Sequence, residues 1–357
     1  MSDRDPTDEV VGKLIKPIDT TFRPNLLMAL GWAIAIAGIA SLVYFVLHFN
    51  DVELFFSLIK KANPLWLGAA LICQMLTYVA ASLVWKIVLD RAHSGLPFAA
   101  LLKIGFLQLF ANQLLPTSGL SGTIIVLRAL TRRGIDAGVV LAGLFLDTLS
   151  YYTVYLILAL IAFAMLWHRH VSSFDWLPIL VAFVLLMATI LASVSMMSRT
   201  KDRILPPFLL RWRPVAYLAV WLQEMDPRAI GGVTTILWAA SCQCAVFLLD
   251  AATLWCVAHS IGVQLDAVGA LSSFLIASVV ATLAPLPLGL GSFETTCIVA
   301  LHLFGVGPEA GLAATLMLRG LTLWLPMLPG LVLTRSEIIH RRRTDSAPDV
   351  SAGTTGT

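Results

Sequence analysis

The sequence predicts an all-α polytopic membrane protein, with about six transmembrane helices and two re-entrant broken hairpins arranged as an inverted repeat. Three observations carry that prediction. Of the 357 residues, 58% are hydrophobic and only 13% charged, against roughly 25% charged in soluble domains, and the mean hydropathy is +0.86. Apolar runs of spanning length, roughly 20 residues for about 30 Å of hydrocarbon, recur along the chain. Two Pro/Gly-rich breaks then interrupt apolar segments that are each too short to cross, at residues 116–122 and 284–294. Irregular backbone at membrane depth survives only where protein buries it or it lines a watery cavity, and matched pairs of such breaks point to transporter binding sites.

Taken in order, residues 1–25 are polar, with Lys13, Lys16 and Arg23, and form a cytoplasmic tail. The first span is 26–48; because this first apolar run already has spanning length, no cleavable signal peptide is expected. A loop with Asp51, Glu53, Lys60 and Lys61 leads to a second span, 64–89, whose Trp66 and Trp85 fall near its ends as interfacial anchors. The first broken region runs 98–115, the break itself, then 123–130, and ends in Arg132-Arg133. Spans follow at 138–167, containing Asp147, and at 177–197. Residues 199–228 are a basic, Pro-punctuated connection at the surface, with Trp212 and Trp221 suited to an interfacial helix. The fifth span is 233–258, and the second broken region sets 271–283 and 295–304 around its break. The sixth span, 308–333, contains Arg319. Residues 334–357 are a basic cytoplasmic tail too polar to fold alone.

The membrane domain is thus 26–333, with repeat units at about 64–167 and 233–333. Each unit is a span, a broken hairpin and a second span. The turn after each break has a matching rhythm, Arg133-Gly134-Ile135-Asp136-Ala137 against Phe304-Gly305-Val306-Gly307-Pro308, and Asp147 and Arg319 follow at nearly the same offset. The single span between the units turns the second upside down. With both termini cytoplasmic, only Lys60, Lys61 and Arg169 of the 24 Lys and Arg residues lie outside, a strong positive-inside bias.

Ionisable groups deep in a membrane cost roughly 2.5–3.5 kcal/mol on insertion scales, so they pair or face a cavity. Here they are Arg128, Asp147, Asp250, Glu294 and Arg319. For Asp147 and Arg319 two readings stand: a structural ion pair clamping the halves, or Arg319 gripping a lipid phosphate through its guanidinium fork. Glu294 is a carboxylate favoured by a helix N-terminus, or a functional group: a proton-coupling carboxylate, or a partner for a cationic or hydroxylated headgroup. Asp250, near the outer end of its span, reads as hydrated. Arg128 reads either as part of the site or, with Arg132 and Arg133, as a positive-inside anchor. Gln108, Asn112 and Gln113 make a polar stripe into the first break, lining a path or capping freed backbone. The candidate substrate-binding set is therefore Arg319, Glu294, Asp147 and Arg128, and the gates are Pro116, Gly119, Gly122, Pro285, Pro287, Gly289 and Gly291.

No catalytic residue, metal site or cofactor is expected. Phosphate-loop, H-E-x-x-H and nucleophile-elbow patterns are missing. The five cysteines sit in apolar runs without metal-ligand spacing, and His168 and His170 read as surface histidines. Nothing marks a nucleic-acid surface.

These residues resemble the transmembrane region of the lysylphosphatidylglycerol synthase family, also called the flippase-like domain family. Pro285, Pro287, Gly289, Gly291 and Glu294 are similar to its Pro/Gly-rich segment ending in glutamate, and Arg319 with Trp324, Pro326 and Gly330 to its final Arg-containing helix. Pro116, Gly119, Gly122 and Arg128 resemble its Pro-x-x-Gly-x-x-Gly motif and downstream arginine. The family often has an acidic residue directly after that last glycine, where this chain has Thr123.

The resemblance covers roughly residues 26–333 and implies a multi-pass protein of the bacterial inner membrane, of the kind that moves a lipid between leaflets or supports lipid modification. The soluble aminoacyl-transferase domain of the full synthase is not expected, so lysine transfer is not either. Stand-alone relatives include hopanoid-associated and glycolipid-associated members. The expected function is a flippase or transporter of a phospholipid, glycolipid or hopanoid-type lipid, with the membrane lipid as substrate. The alternative is a membrane-embedded enzyme, or an accessory subunit of one, acting on a lipid headgroup or polyprenyl-linked sugar. A lipid-biosynthesis enzyme is then a candidate partner.

Overall fold

A computed structural model describes residues 60–114, 120–168, 176–199, 231–284 and 289–326. The described residues are helical and contain no strand. In chain order the helices are α1 (Pro64–Arg91), α2 (Phe98–Leu114), α3 (Leu120–Thr131), α4 (Ala137–His168), α5 (Leu177–Arg199), α6 (Val233–Ser260), α7 (Ala267–Leu283), α8 (Ser292–Leu303) and α9 (Pro308–Arg319). A π-helical turn, Gly320–Trp324, continues α9 without a break. The expected first span, the 200–230 connection, the tips of both breaks at Pro116, Gly119, Pro285 and Pro287, and both tails lie outside the described residues.

Local chemistry explains where these helices begin and end. Pro64 opens α1 at a position whose N–H needs no partner, and the Asn63 side chain accepts from the Leu65 N–H at 2.9 Å. Asp266 caps α7 in the same way, accepting from the Gly269 N–H at 2.9 Å. Among the described residues α1, α4 and α6 are long and apolar enough to cross a membrane, and α5 is apolar over Leu177–Ala192. At 1.5 Å per residue, α2 and α7 reach only about 25 Å and α3 and α8 about 18 Å. Each short pair folds back on itself, α3 packing on α2 and α8 on α7.

The two units repeat with the same dimensions. α1 and α6 are 28 residues each, α2 and α7 are 17, and α3 and α8 are 12. The turns match bond for bond. After α3, the N–H groups of Arg133, Gly134 and Ile135 donate to Leu130, Thr131 and Leu130; after α8, those of Phe304, Gly305 and Val306 donate to Leu301, His302 and Leu301. Gly134 and Gly305 have φ of 81° and 83°, a left-handed conformation that costs glycine nothing.

The corresponding helices α1 and α6 pack along their length and run antiparallel. The Asn63 N–H at the start of α1 donates to the Ser260 carbonyl at the end of α6, at 2.7 Å. Trp66 meets the Trp255 ring edge-on at 5.3 Å, and further along Gln74 reaches Asp250. Two apolar cores result. One gathers the far half of α1 with α2, α3 and the start of α4; the other gathers the rest of α4 with α5 to α9. Trp85 corrects the sequence reading. It is not an interfacial anchor but a buried core residue, pressed so closely on α4 that a Cβ on Gly143 would fall 2.7 Å from its ring.

Candidate functional site

The second break delivers Glu294 and Arg319 to one place. Gly289 and Gly291 have φ of 62° and 83°, and a Cβ on Gly289 would sit 2.6 Å from that of Ala281 on α7. Glycine alone lets the chain pass this close and turn into α8. Glu294 then lies in the first turn of α8, where its Oε2 accepts from the Gly291 N–H at 2.6 Å. That contact ties the carboxylate to the helix N-terminus, where negative charge is favoured.

Arg319 is the last residue of α9. α8 and α9 are both 12 residues long and joined by the Gly305 turn, so the last turn of α9 comes back beside the first turn of α8. Arg319 Nε stands 2.7 Å from Glu294 Oε1, with the guanidinium carbon 4.0 Å over the Phe293 ring. Nη2 donates to the Gly289 carbonyl at 3.4 Å. Glu294 is 1% exposed. A carboxylate and a guanidinium therefore sit buried against non-helical backbone, and the helix continues past Arg319 as a π-turn, a feature frequent at functional sites. The Tyr78 O–H of the first unit donates to the Leu321 carbonyl in that turn, at 3.1 Å.

The structure does not bring Asp147 to Arg319. Asp147 Oδ1 accepts instead from Gln243 Nε2 of α6, at 2.7 Å. Nor is Asp250 a simply hydrated end group: Gln74 Nε2 of α1 donates to its Oδ1 at 3.4 Å. Both aspartates line a cavity of about 290 Å³ between α1, α2, α4 and α6, which also includes Gln108. Gln74 and Gln243 are the eleventh residues of α1 and α6, a symmetry that sequence reasoning missed. Its signal was available in two lone amides at matching depth in matching apolar runs. Arg128 is exposed on α3 and joins neither cluster among the described residues. Gly122 is buried within α3 rather than in the break, and Asn112 and Gln113 have no described side chains. Among the described residues no group of three or more His, Cys, Asp or Glu could hold a metal ion.

No curated protein matches the chain. The family described as the lysylphosphatidylglycerol synthase TM region matches residues 30–330. With all-helical architecture, helices of membrane-spanning length and a match over most of its sequence, the chain belongs to the lysylphosphatidylglycerol synthase transmembrane-region family.

Proposed function

We propose that the chain is a lipid flippase: it moves a phospholipid, glycolipid or hopanoid-type lipid between leaflets of a bacterial inner membrane, with both termini cytoplasmic. The observation that carries this reading is the buried Glu294–Arg319 pair at the broken second hairpin. A guanidinium matches a phosphate or carboxylate in charge and in its planar fork of donors. A lipid headgroup entering the break offers Arg319 a second anionic partner, and Glu294 is retained by its backbone bond to Gly291 while the exchange occurs. In this way Arg319 binds the headgroup, and Glu294 compensates its charge when the site is empty.

The antiparallel run of α1 against α6 supports an inverted repeat, in which the two hairpins enter from opposite faces and act as alternate gates. The membrane domain at 26–333, with units at about 64–167 and 233–333, follows from the same reading. The test compares the leaflet distribution of each lipid class in cells carrying the wild-type chain or Arg319→Met. Loss of the lipid's asymmetry in the variant, with its total amount unchanged, is the expected result. Unchanged asymmetry overturns the assignment of Arg319.

A further inference from the structure

The cavity that holds Asp147 and Asp250 is separate from the Glu294–Arg319 pair, and the proposed lipid site does not use it. Its polar lining is rich in acceptors. Two carboxylates face it from α4 and α6, each receiving one amide N–H, and no Lys, Arg or His lines it among the described residues. Gln74 supplies the independent observation. It is 2% exposed, lines the cavity, and spends its amide N–H on Asp250, which leaves Oε1 buried with no donor. Two carboxylates thus share one cavity with no positive side chain in its wall among the described residues, beside a buried amide oxygen without a donor, and an uncompensated charge there is costly. The hydroxyls of Thr77, Ser82 and Thr322 add oxygen acceptors to an otherwise largely apolar wall, and oxygen ligands suit hard cations. The titratable groups facing the carboxylates are Tyr78 of α1 and Tyr151 of α4, the latter within electrostatic reach of both.

We propose that this cavity binds a monovalent inorganic cation, Na⁺ or a proton, at its two carboxylates, Asp147 and Asp250. Only the role of that ion as the driving ion rests on the flippase reading; binding itself does not. The position fits such a role. The cavity lies on the α1–α6 contact between the two units, and Tyr78 in its wall also grips the π-turn that follows Arg319. Filling or emptying the site therefore acts on the α1–α6 seam and, through Tyr78, on the segment that carries the lipid-site arginine.

The test uses the purified full-length protein in detergent, with no lipid substrate. Melting temperature is measured with NaCl against choline chloride at equal ionic strength, and infrared spectra record the C=O stretch of protonated carboxyl groups across pH. A saturable Na⁺-specific rise in melting temperature, lost in Asp147→Asn and Asp250→Asn, establishes the Na⁺ form. A protonated-carboxyl band that persists at neutral pH and loses a component in each variant, without a Na⁺ shift, establishes the proton form. The infrared measurement on the wild-type protein stands even where a variant fails to fold. Arg319→Met combined with Glu294→Gln should keep either response, so a failed flippase reading leaves this result intact. Carboxylates fully ionised at neutral pH, with no Na⁺-specific shift, overturn the proposal.

Discussion

The Glu294 carboxylate and the Arg319 guanidinium lie 2.7 Å apart with little solvent on either. Removing one member of a buried pair strands the other, at about 3–5 kcal/mol, whereas replacing both by well-packed neutral groups is often close to neutral. Arg319→Met and Glu294→Gln should therefore each lower the melting temperature more than the double variant does. Additive losses in that cycle would show that the two side chains act independently. Both residues were legible in the sequence, since charges in apolar runs are few and a Pro/Gly break announces the glutamate. The partnership was not legible. Asp147 matched Arg319 in offset from its glycine, but that offset places the two in corresponding positions of separate units, which is a reason for them to lie apart. The two helices of 12 residues around Gly305 contained the right pairing, because only their lengths decide which turns meet.

At the scale of the element, the second hairpin depends on Gly289. Its φ of 62° and the 2.6 Å approach to Ala281 are separate demands. Gly289→Ala should destabilise by about 1–3 kcal/mol from the backbone alone, with the steric clash added. Ala281→Gly in the same chain should recover only the steric part, as read from melting temperatures in detergent; full recovery would mean that the backbone conformation costs nothing. Helix limits were read to within a few residues where Asn63-Pro64 or Asp266 supplies a chemical start signal. The π-turn was not readable, because nothing in Gly320–Trp324 distinguishes it from ordinary helix. Trp85 was misplaced for a similar reason: a tryptophan near the end of an apolar run looks interfacial until the glycine that receives it, Gly143, is seen on another helix.

Across the whole molecule, equal helix lengths and antiparallel α1 and α6 argue for units related by inversion. The turns after α3 and α8 should then face opposite sides of the membrane. In a background lacking the five native cysteines, Arg133→Cys should react with an impermeant maleimide only from the cytoplasmic side and Gly307→Cys only from the outside. Reaction of both from one side would remove the inversion. Composition alone made the membrane class and helical fold legible, and the repeat showed in the glycine turns. The acidic cavity did not, because its four polar anchors, Gln74, Asp147, Gln243 and Asp250, come from three helices far apart in sequence.

The most direct test of lipid movement is the distribution of every lipid class between the two leaflets, in cells with the wild-type chain, with Arg319→Met, and without the chain. One-sided chemical labelling followed by mass spectrometry gives that distribution. The account predicts one lipid whose total is constant in all three strains, while its asymmetry is lost in the variant and in the strain without the chain. A lipid that instead disappears while its precursor accumulates would contradict it and identify an enzyme of lipid modification.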